Sequence, residues 1–206
     1  MVDADAVDAF MKAVPDHVAV CMDEAYLELL PEARRPDSLK YVRDGRPIII
    51  LRTFSKTYGL AGLRVGYAVA SEEAIALMAR IRQPFTVNAM GLVAATAALA
   101  DDDHVRRTQA MVRDGLAFFE ARLTALGLPF VPAVTNFLLV DVGHGREVFK
   151  DLQREKVIVR PMDGYGLPSH VRITVGTPAQ NEQCLQALAR VMARRSPRPP
   201  GSSEVA

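Results

Sequence analysis

The run Pro47-Ile48-Ile49-Ile50-Leu51 has no polar break, and it leads within two residues into Thr53-Phe54-Ser55-Lys56-Thr57-Tyr58-Gly59-Leu60-Ala61-Gly62-Leu63-Arg64-Val65-Gly66. A short continuous apolar run reads as a strand covered on both faces, the signature of a parallel sheet. Val18-Ala19-Val20-Cys21-Met22 has the same character and ends on Asp23-Glu24-Ala25-Tyr26. Two such strands, each followed by polar residues, point to an open α/β sheet, where ligands gather beyond the C-terminal strand ends. Asp23 and Lys56 would then face one crevice.

The remaining chain supports that class. Residues 3–14 predict a helix capped by Asp3 or Asp5, with Val7, Phe10, Met11 and Val14 at helical spacing and Pro15 as its stop. Residues 30–46 are rich in Pro, Arg, Asp and Gly and read as a surface connection. Val65 to Ala70 is a further short strand, and Ser71 opens a helix to about Arg82. Asn88 to Ala100 predicts an alanine-rich, tightly packed helix. A long helix runs from Asp101 to about Leu126, with Val112, Leu116, Phe119, Leu123 and Leu126 on one face. Gly127 closes it.

Beyond it come strands at Pro129–Val131, Asn136–Val140, Val157–Arg160 and Val171–Val175. Helices are predicted at Arg146–Glu155 and from Asn181 to about Arg194. The expected organisation is a partial, mostly parallel α/β domain over 1–100, a smaller α+β domain over 101–194, and a disordered Pro- and Ser-rich tail over 195–206.

Composition removes several function classes. The 206 residues carry 25 basic and 24 acidic side chains, a net charge of +1, which offers no electrostatic reason for a nucleic-acid or membrane partner. No run reaches the roughly 18–20 apolar residues of a bilayer span. The N-terminus lacks the basic and apolar regions of a secretory signal, so a cytoplasmic location is expected. Cys21 and Cys184 sit in apolar segments and read as core residues, and the four histidines show no ligand spacing.

The chemistry-bearing residues each allow two readings. Lys56 is either a surface lysine or an amine nucleophile, the latter requiring its pKa to be lowered by desolvation or by cations such as Arg64. Asp23 and Glu24 either cap the next turn, or Asp23 holds a heteroaromatic nitrogen protonated through a charge-assisted bond. Tyr26 can offer a hydroxyl beside it. Arg64 and Ser55 can bind one phosphate, or Arg64 can form a surface ion pair. Arg160 and Arg172 each interrupt an apolar strand, which calls for an anion if they point inward.

Together Asp23-x-x-Tyr26 and Ser55-Lys56-x-x-Gly59-Leu60-Ala61-Gly62-Leu63-Arg64-x-Gly66 resemble the cofactor site of fold-type-I pyridoxal-phosphate aminotransferases. Gln83-Pro84-Phe85-Thr86-Val87-Asn88, Thr135-Asn136-Phe137, Ile158-Val159-Arg160-Pro161 and Val171–Thr177 most resemble the histidinol-phosphate aminotransferase branch. The resemblance runs from about residue 4 to 193. It implies pyridoxal 5'-phosphate as cofactor, Lys56 as the amine that bonds its aldehyde and then carries a proton, and Asp23 on the ring nitrogen. It implies Tyr26 on the ring oxygen and Ser55 and Arg64 on the phosphate. Arg172 would bind the substrate α-carboxylate, Arg160 its distal phosphate, and Asn136 would line the site.

The implied activity is transamination in histidine biosynthesis, from histidinol phosphate to a 2-oxo acid such as 2-oxoglutarate, by a homodimer. Two other readings stay open: a non-catalytic remnant or interaction subunit, and a phosphate-amino-acid decarboxylase of the same fold. The resembled chains are longer at the N-terminus and carry part of the cofactor site there, so a truncated gene product, a mis-called start or a fragment is expected. Thr86 also stands where that branch more often has Asn.

Overall fold

In the computed structural model, residues 2–195 are described. The chain divides into two compact units, Met1–Ala110 and Met111–Ala206. Among the described residues, no helix is long and apolar enough to cross a membrane.

The first unit begins with helix α1 (Ala4–Ala13), where the Asp3 carboxylate accepts from the Ala6 N–H at 2.8 Å. That bond satisfies one of the amides that a helix start leaves without an intrahelical partner. Strands β1 (Val20–Asp23), β2 (Ile48–Thr53) and β3 (Gly66–Val69) form a sheet in that order. β1 and β2 run parallel, with Val20 beside Ile48 and Asp23 beside Leu51. β3 runs antiparallel to β2, so the sheet is mixed. Helix α2 (Leu39–Arg43) lies between β1 and β2 in sequence. Val7 and Met11 of α1 and Tyr41 of α2 pack on Ile48 and Ile50, with Val20, Met22 and Val69 around them. Ile50 has no exposed surface, and its burial is worth about 2–3 kcal/mol.

Four expectations change here. The apolar runs suggested cover on both sheet faces, yet β1 alternates and Cys21 and Leu51 are exposed. Cys21 is therefore not a core residue: the pleat turns it to the face opposite Ile48 and Ile50. Residues 30–46 are more than a connection, because Ser38 and Tyr41 are buried. Phe10 is exposed although it falls at helical spacing, because Val7 and Met11 already fill the contact with the sheet.

Helix α3 (Glu72–Ile81) starts at Ser71, whose Oγ accepts from Ala74 N, and buries no residue. Helix α4 (Ala89–Leu99) was expected to be tightly packed, but only Gly91 and Ala95 are buried. Met90, Leu92, Val93 and Leu99 are exposed. Ala95 joins Phe54 and Val65 in a second small core that seats the glycine loop.

Helix α5 (Asp102–Ala125) follows, and its buried Val112, Leu116, Phe119 and Leu123 lie in the second unit. Leu126, expected on that face, is exposed beyond the helix end. The second unit also contains β4 (Phe130–Val131), β5 (Phe137–Asp141), α6 (Gly145–Arg154), β6 (Arg160–Pro161), β7 (His170–Thr174) and α7 (Pro178–Arg195). Its sheet is antiparallel throughout, in the order β4-β5-β7-β6. Leu138, Val140, Val171 and Ile173 are buried on one face, while Phe137, Leu139 and Arg172 on the other are half-buried. Val148, Leu152, Leu185, Leu188 and Val191 complete the core from α6 and α7.

The strand expected over Val157–Arg160 pairs only at Arg160–Pro161, and Ile158 is exposed. Arg195, placed by the sequence reading at the start of a disordered tail, instead closes α7 and bonds Glu147 and Asp151. Residues 196–206 of that expected tail lie outside the described residues.

Candidate active site

Because β1 and β2 are parallel, their C-terminal ends emerge at the same sheet edge. Asp23 is the last residue of β1, exposed, with Oδ1 accepting from Ala25 N at 3.0 Å. It forms no ion pair among the described residues. Tyr26 follows at the head of a short 3-10 turn, Leu27–Leu29. Past the end of β2, the Ser55 N–H is held by the Thr53 hydroxyl at 3.1 Å. The Gly59 N–H then bonds back to the Lys56 carbonyl at 2.9 Å, a reversal that Gly59 accomplishes with φ at 71°. This turn carries the Lys56 amine over the Tyr26 ring, 5.4 Å from its centroid. Asp23, Tyr26, Ser55 and Lys56 are thus gathered at one edge. Lys56 itself is exposed.

Arg64 is placed differently from the others. It ends the 3-10 turn Ala61–Leu63 in the left-handed region, φ 57° and ψ 48°, which is sparsely populated by long side chains. Its Nη1 donates to the Ala61 carbonyl at 2.9 Å, and the side chain is exposed. The surrounding backbone holds this strained geometry: Phe54 N–H bonds the Val65 carbonyl, and the Asn88 side chain caps Leu63.

Glu24, beside Asp23, allows a turn-capping role from sequence, but the fold gives its carboxylate other partners. Glu24 is buried at 6% exposure, its carboxylate bonded to Arg52 Nε at 2.9 Å and to the Ser38 hydroxyl. Desolvation alone would depress the Arg52 pKa; bonds to Tyr67 and Glu24 outweigh it and leave the value raised. Nearby, burial pushes the Glu28 carboxyl up, and burial together with Glu28 pushes the Tyr58 phenol up. One signal was available in the sequence: consecutive residues on a strand point to opposite faces, so Asp23 and Glu24 cannot share a role.

Arg160, Arg172 and Asn136 belong to the second unit. Arg160 and Arg172 are cross-strand partners on β6 and β7. Like charges placed opposite each other repel, so the pair suits an anion between or beside them. The Arg172 guanidinium lies over the Phe137 ring at 4.7 Å, and Arg160 over Tyr165 at 5.4 Å. Arg172 Nε is buried with no hydrogen-bond acceptor. An orphaned buried donor is rare in folded proteins and asks for a ligand oxygen. Asn136 accepts the Val175 N–H on its carbonyl at 2.8 Å, tying the entry of β5 to the exit of β7. Among the described residues no cluster of His, Cys, Asp or Glu could hold a metal ion.

The model of aminotransferase class I and II matches residues 2–188, nearly the whole described chain. The chain belongs to the aminotransferase class I and II family. The histidinol-phosphate aminotransferase of Akkermansia muciniphila is 47% identical over 192 residues, 93% of this chain and 52% of that protein. The histidinol-phosphate aminotransferase 1 of Nitrosococcus oceani is 48% identical over 190 residues, 92% of this chain and 51% of that protein. Among solved structures, the histidinol-phosphate aminotransferase of Sinorhizobium meliloti, crystallised with pyridoxal-5'-phosphate, superposes with a TM-score of 0.80 at 28% identity. It covers 94% of this chain, which covers 54% of it. The L-threonine-O-3-phosphate decarboxylase of Porphyromonas gingivalis superposes with a TM-score of 0.79 at 25% identity over 94% of this chain and 60% of its own. The aminotransferase chain described here therefore spans about half the length of the curated relatives it matches.

Proposed function

We propose that this chain carries the lysine half of a pyridoxal-phosphate site and that the whole protein transaminates histidinol phosphate with a 2-oxo acid such as 2-oxoglutarate. The observation that carries the proposal is the Lys56 amine standing over Tyr26 at the strand edge that also presents Asp23. The residues of the first unit suit such a group: an exposed carboxylate in no ion pair among the described residues, and an exposed amine beside a phenol.

When bound, pyridoxal phosphate supplies an aldehyde and a ring that draws electrons from the substrate α-carbon. Lys56 Nζ would be the amine that bonds the aldehyde, and it would then carry the proton from the substrate α-carbon to the cofactor carbon that had been the aldehyde. Asp23 holds a proton on the ring nitrogen. The Tyr26 hydroxyl donates to the ring oxygen, and Ser55 and Arg64 hold the phosphate. Arg172 takes the substrate α-carboxylate on its unbonded N–H, Arg160 takes the distal phosphate, and Asn136 lines the site. A place in histidine biosynthesis, a cytoplasmic location and a homodimer of the whole protein extend the same reading.

Adding pyridoxal phosphate to the purified chain tests it directly. A visible absorption band is expected in the wild type and none in Lys56→Ala. An unchanged spectrum in the wild type removes cofactor binding from this chain. The likeness to the P. gingivalis decarboxylase favours a second reading, in which the substrate is a phosphorylated amino acid that loses carbon dioxide. Glutamate formed from 2-oxoglutarate supports transamination; carbon dioxide without glutamate supports decarboxylation.

A further inference from the structure

We infer that Glu24 is a positioning residue, a buried clamp that holds Asp23 and Tyr26 in place against Lys56. The inference rests on the cofactor site proposed above and adds a residue to it. The pleat gives Asp23 and Glu24 opposite directions: Asp23 is exposed, whereas Glu24 points inward with its side chain only 3% exposed. Glu24 cannot touch a ligand at the strand edge, yet every connection it makes controls that edge.

Its N–H bonds the Leu51 carbonyl at 2.9 Å and its carbonyl accepts from Leu27 N at 3.1 Å. Its carboxylate accepts from Arg52 of β2 and from Ser38, just before α2. Glu24, the first of the two residues between Asp23 and Tyr26, is therefore anchored through backbone and side chain alike. Two of those anchors, Leu51 and Arg52, lie on the strand from whose end Lys56 extends. Arg52 in turn contacts Tyr67 on β3, so one carboxylate links the ends of all three strands.

A buried ion pair is a poor source of net stability, because desolvation offsets much of its attraction. Such a pair does hold one geometry strictly, since any rotation leaves a buried charge without its partner. A strand end that must aim one carboxylate at a ligand gains from that strictness.

A double-mutant cycle on the full chain tests this, with affinity for pyridoxal phosphate read from the visible band. Glu24→Gln is expected to weaken binding about tenfold and Ser38→Ala about threefold, the latter keeping the Arg52 pair as insurance against misfolding. Both effects should fall below about twofold in an Asp23→Asn, Tyr26→Phe background, because the clamp acts through those two side chains. Equal losses in both backgrounds would mark Glu24 as merely structural and overturn the inference, as would no loss at all. If the wild type gives no band, the cofactor reading fails by itself. Hydrogen exchange on the unliganded chain then decides the clamp. The Glu24 and Leu27 amides should exchange about tenfold faster in Glu24→Gln, and unchanged exchange overturns it.

Discussion

Replacing a helical glycine by alanine usually stabilises a helix by about 1 kcal/mol, but at Gly115 the opposite sign is expected. Gly115 is buried in α5, and a Cβ built on it would stand 2.3 Å from Val175 Cγ1 and 3.0 Å from Asn181 Nδ2. Neither neighbour is free to retreat. Val175 is buried and its N–H is bonded to the Asn136 carbonyl at 2.8 Å. Asn181 is also buried, and its Oδ1 accepts from Gly176 N at 2.7 Å. Overpacking of this kind costs about 1–3 kcal/mol, so Gly115→Ala should lose about 1 kcal/mol net after the helix gain. In a unit of this size that is a fall of about 4–8 °C in Tm. Urea denaturation followed by circular dichroism measures it. Val175→Ala removes the clashing methyl, so the double variant should be more stable than the sum of the two single losses by about 1 kcal/mol. A Gly115→Ala protein stabilised by about 1 kcal/mol, as at an open helix position, would refute the reasoning.

Three further outcomes follow from other parts of the chain. A hydrogen bond from Arg195, with its charge, holds the Glu147 and Asp151 carboxyls below their ordinary values, and bonds from Arg194 and Arg190 do the same for Glu155. Carboxyls depressed in the folded state stabilise above their unfolded pKa of about 4 and lose that contribution as pH falls through the folded value. The Tm difference between wild type and Arg195→Gln should therefore shrink on acidification below about pH 4, and a constant difference down to about pH 2 would contradict it. Burial pushes the Cys184 thiol up to about 11, whereas Cys21 is exposed. A thiol reagent at neutral pH should label half-buried Cys184 about tenfold more slowly than exposed Cys21; equal rates would contradict the expectation. Arg172→Met removes an unbonded buried donor and keeps an apolar stem on Phe137, so stability should change by less than about 1 kcal/mol. Binding of a substrate carboxylate should be lost by the same variant, and a large fall in Tm would show that Arg172 is structural.

Local patterns carried much of the fold by themselves. Asp3 and Ser71 announced their helices because a capping oxygen acts on amides only three residues away. The α5 face Val112, Leu116, Phe119 and Leu123 was legible from its spacing, since a helix turns at a fixed rate whatever it meets. The motif through Ser55, Lys56 and Arg64, with Asp23 upstream, pointed to the family through its resemblance to fold-type-I aminotransferases, whereas each side chain taken singly still allowed a surface or capping role. Burial was decided elsewhere. Cys21 and Leu51 look as apolar as Ile48 and Ile50, and only the placement of α1 and α2 says which face of the sheet is covered. α4 reads as a packed helix from composition, but its cover depends on neighbours that periodicity cannot name. Glu24 lay beside Asp23 in plain sight, and its partners Arg52 and Ser38 are 28 and 14 residues away. The sequence alone determined which residue types stand at the strand ends, because that is local chemistry. Tertiary structure alone decided that one carboxylate of the adjacent pair is exposed at the edge while the other is clamped beneath it, because burial belongs to the whole sheet and its cover.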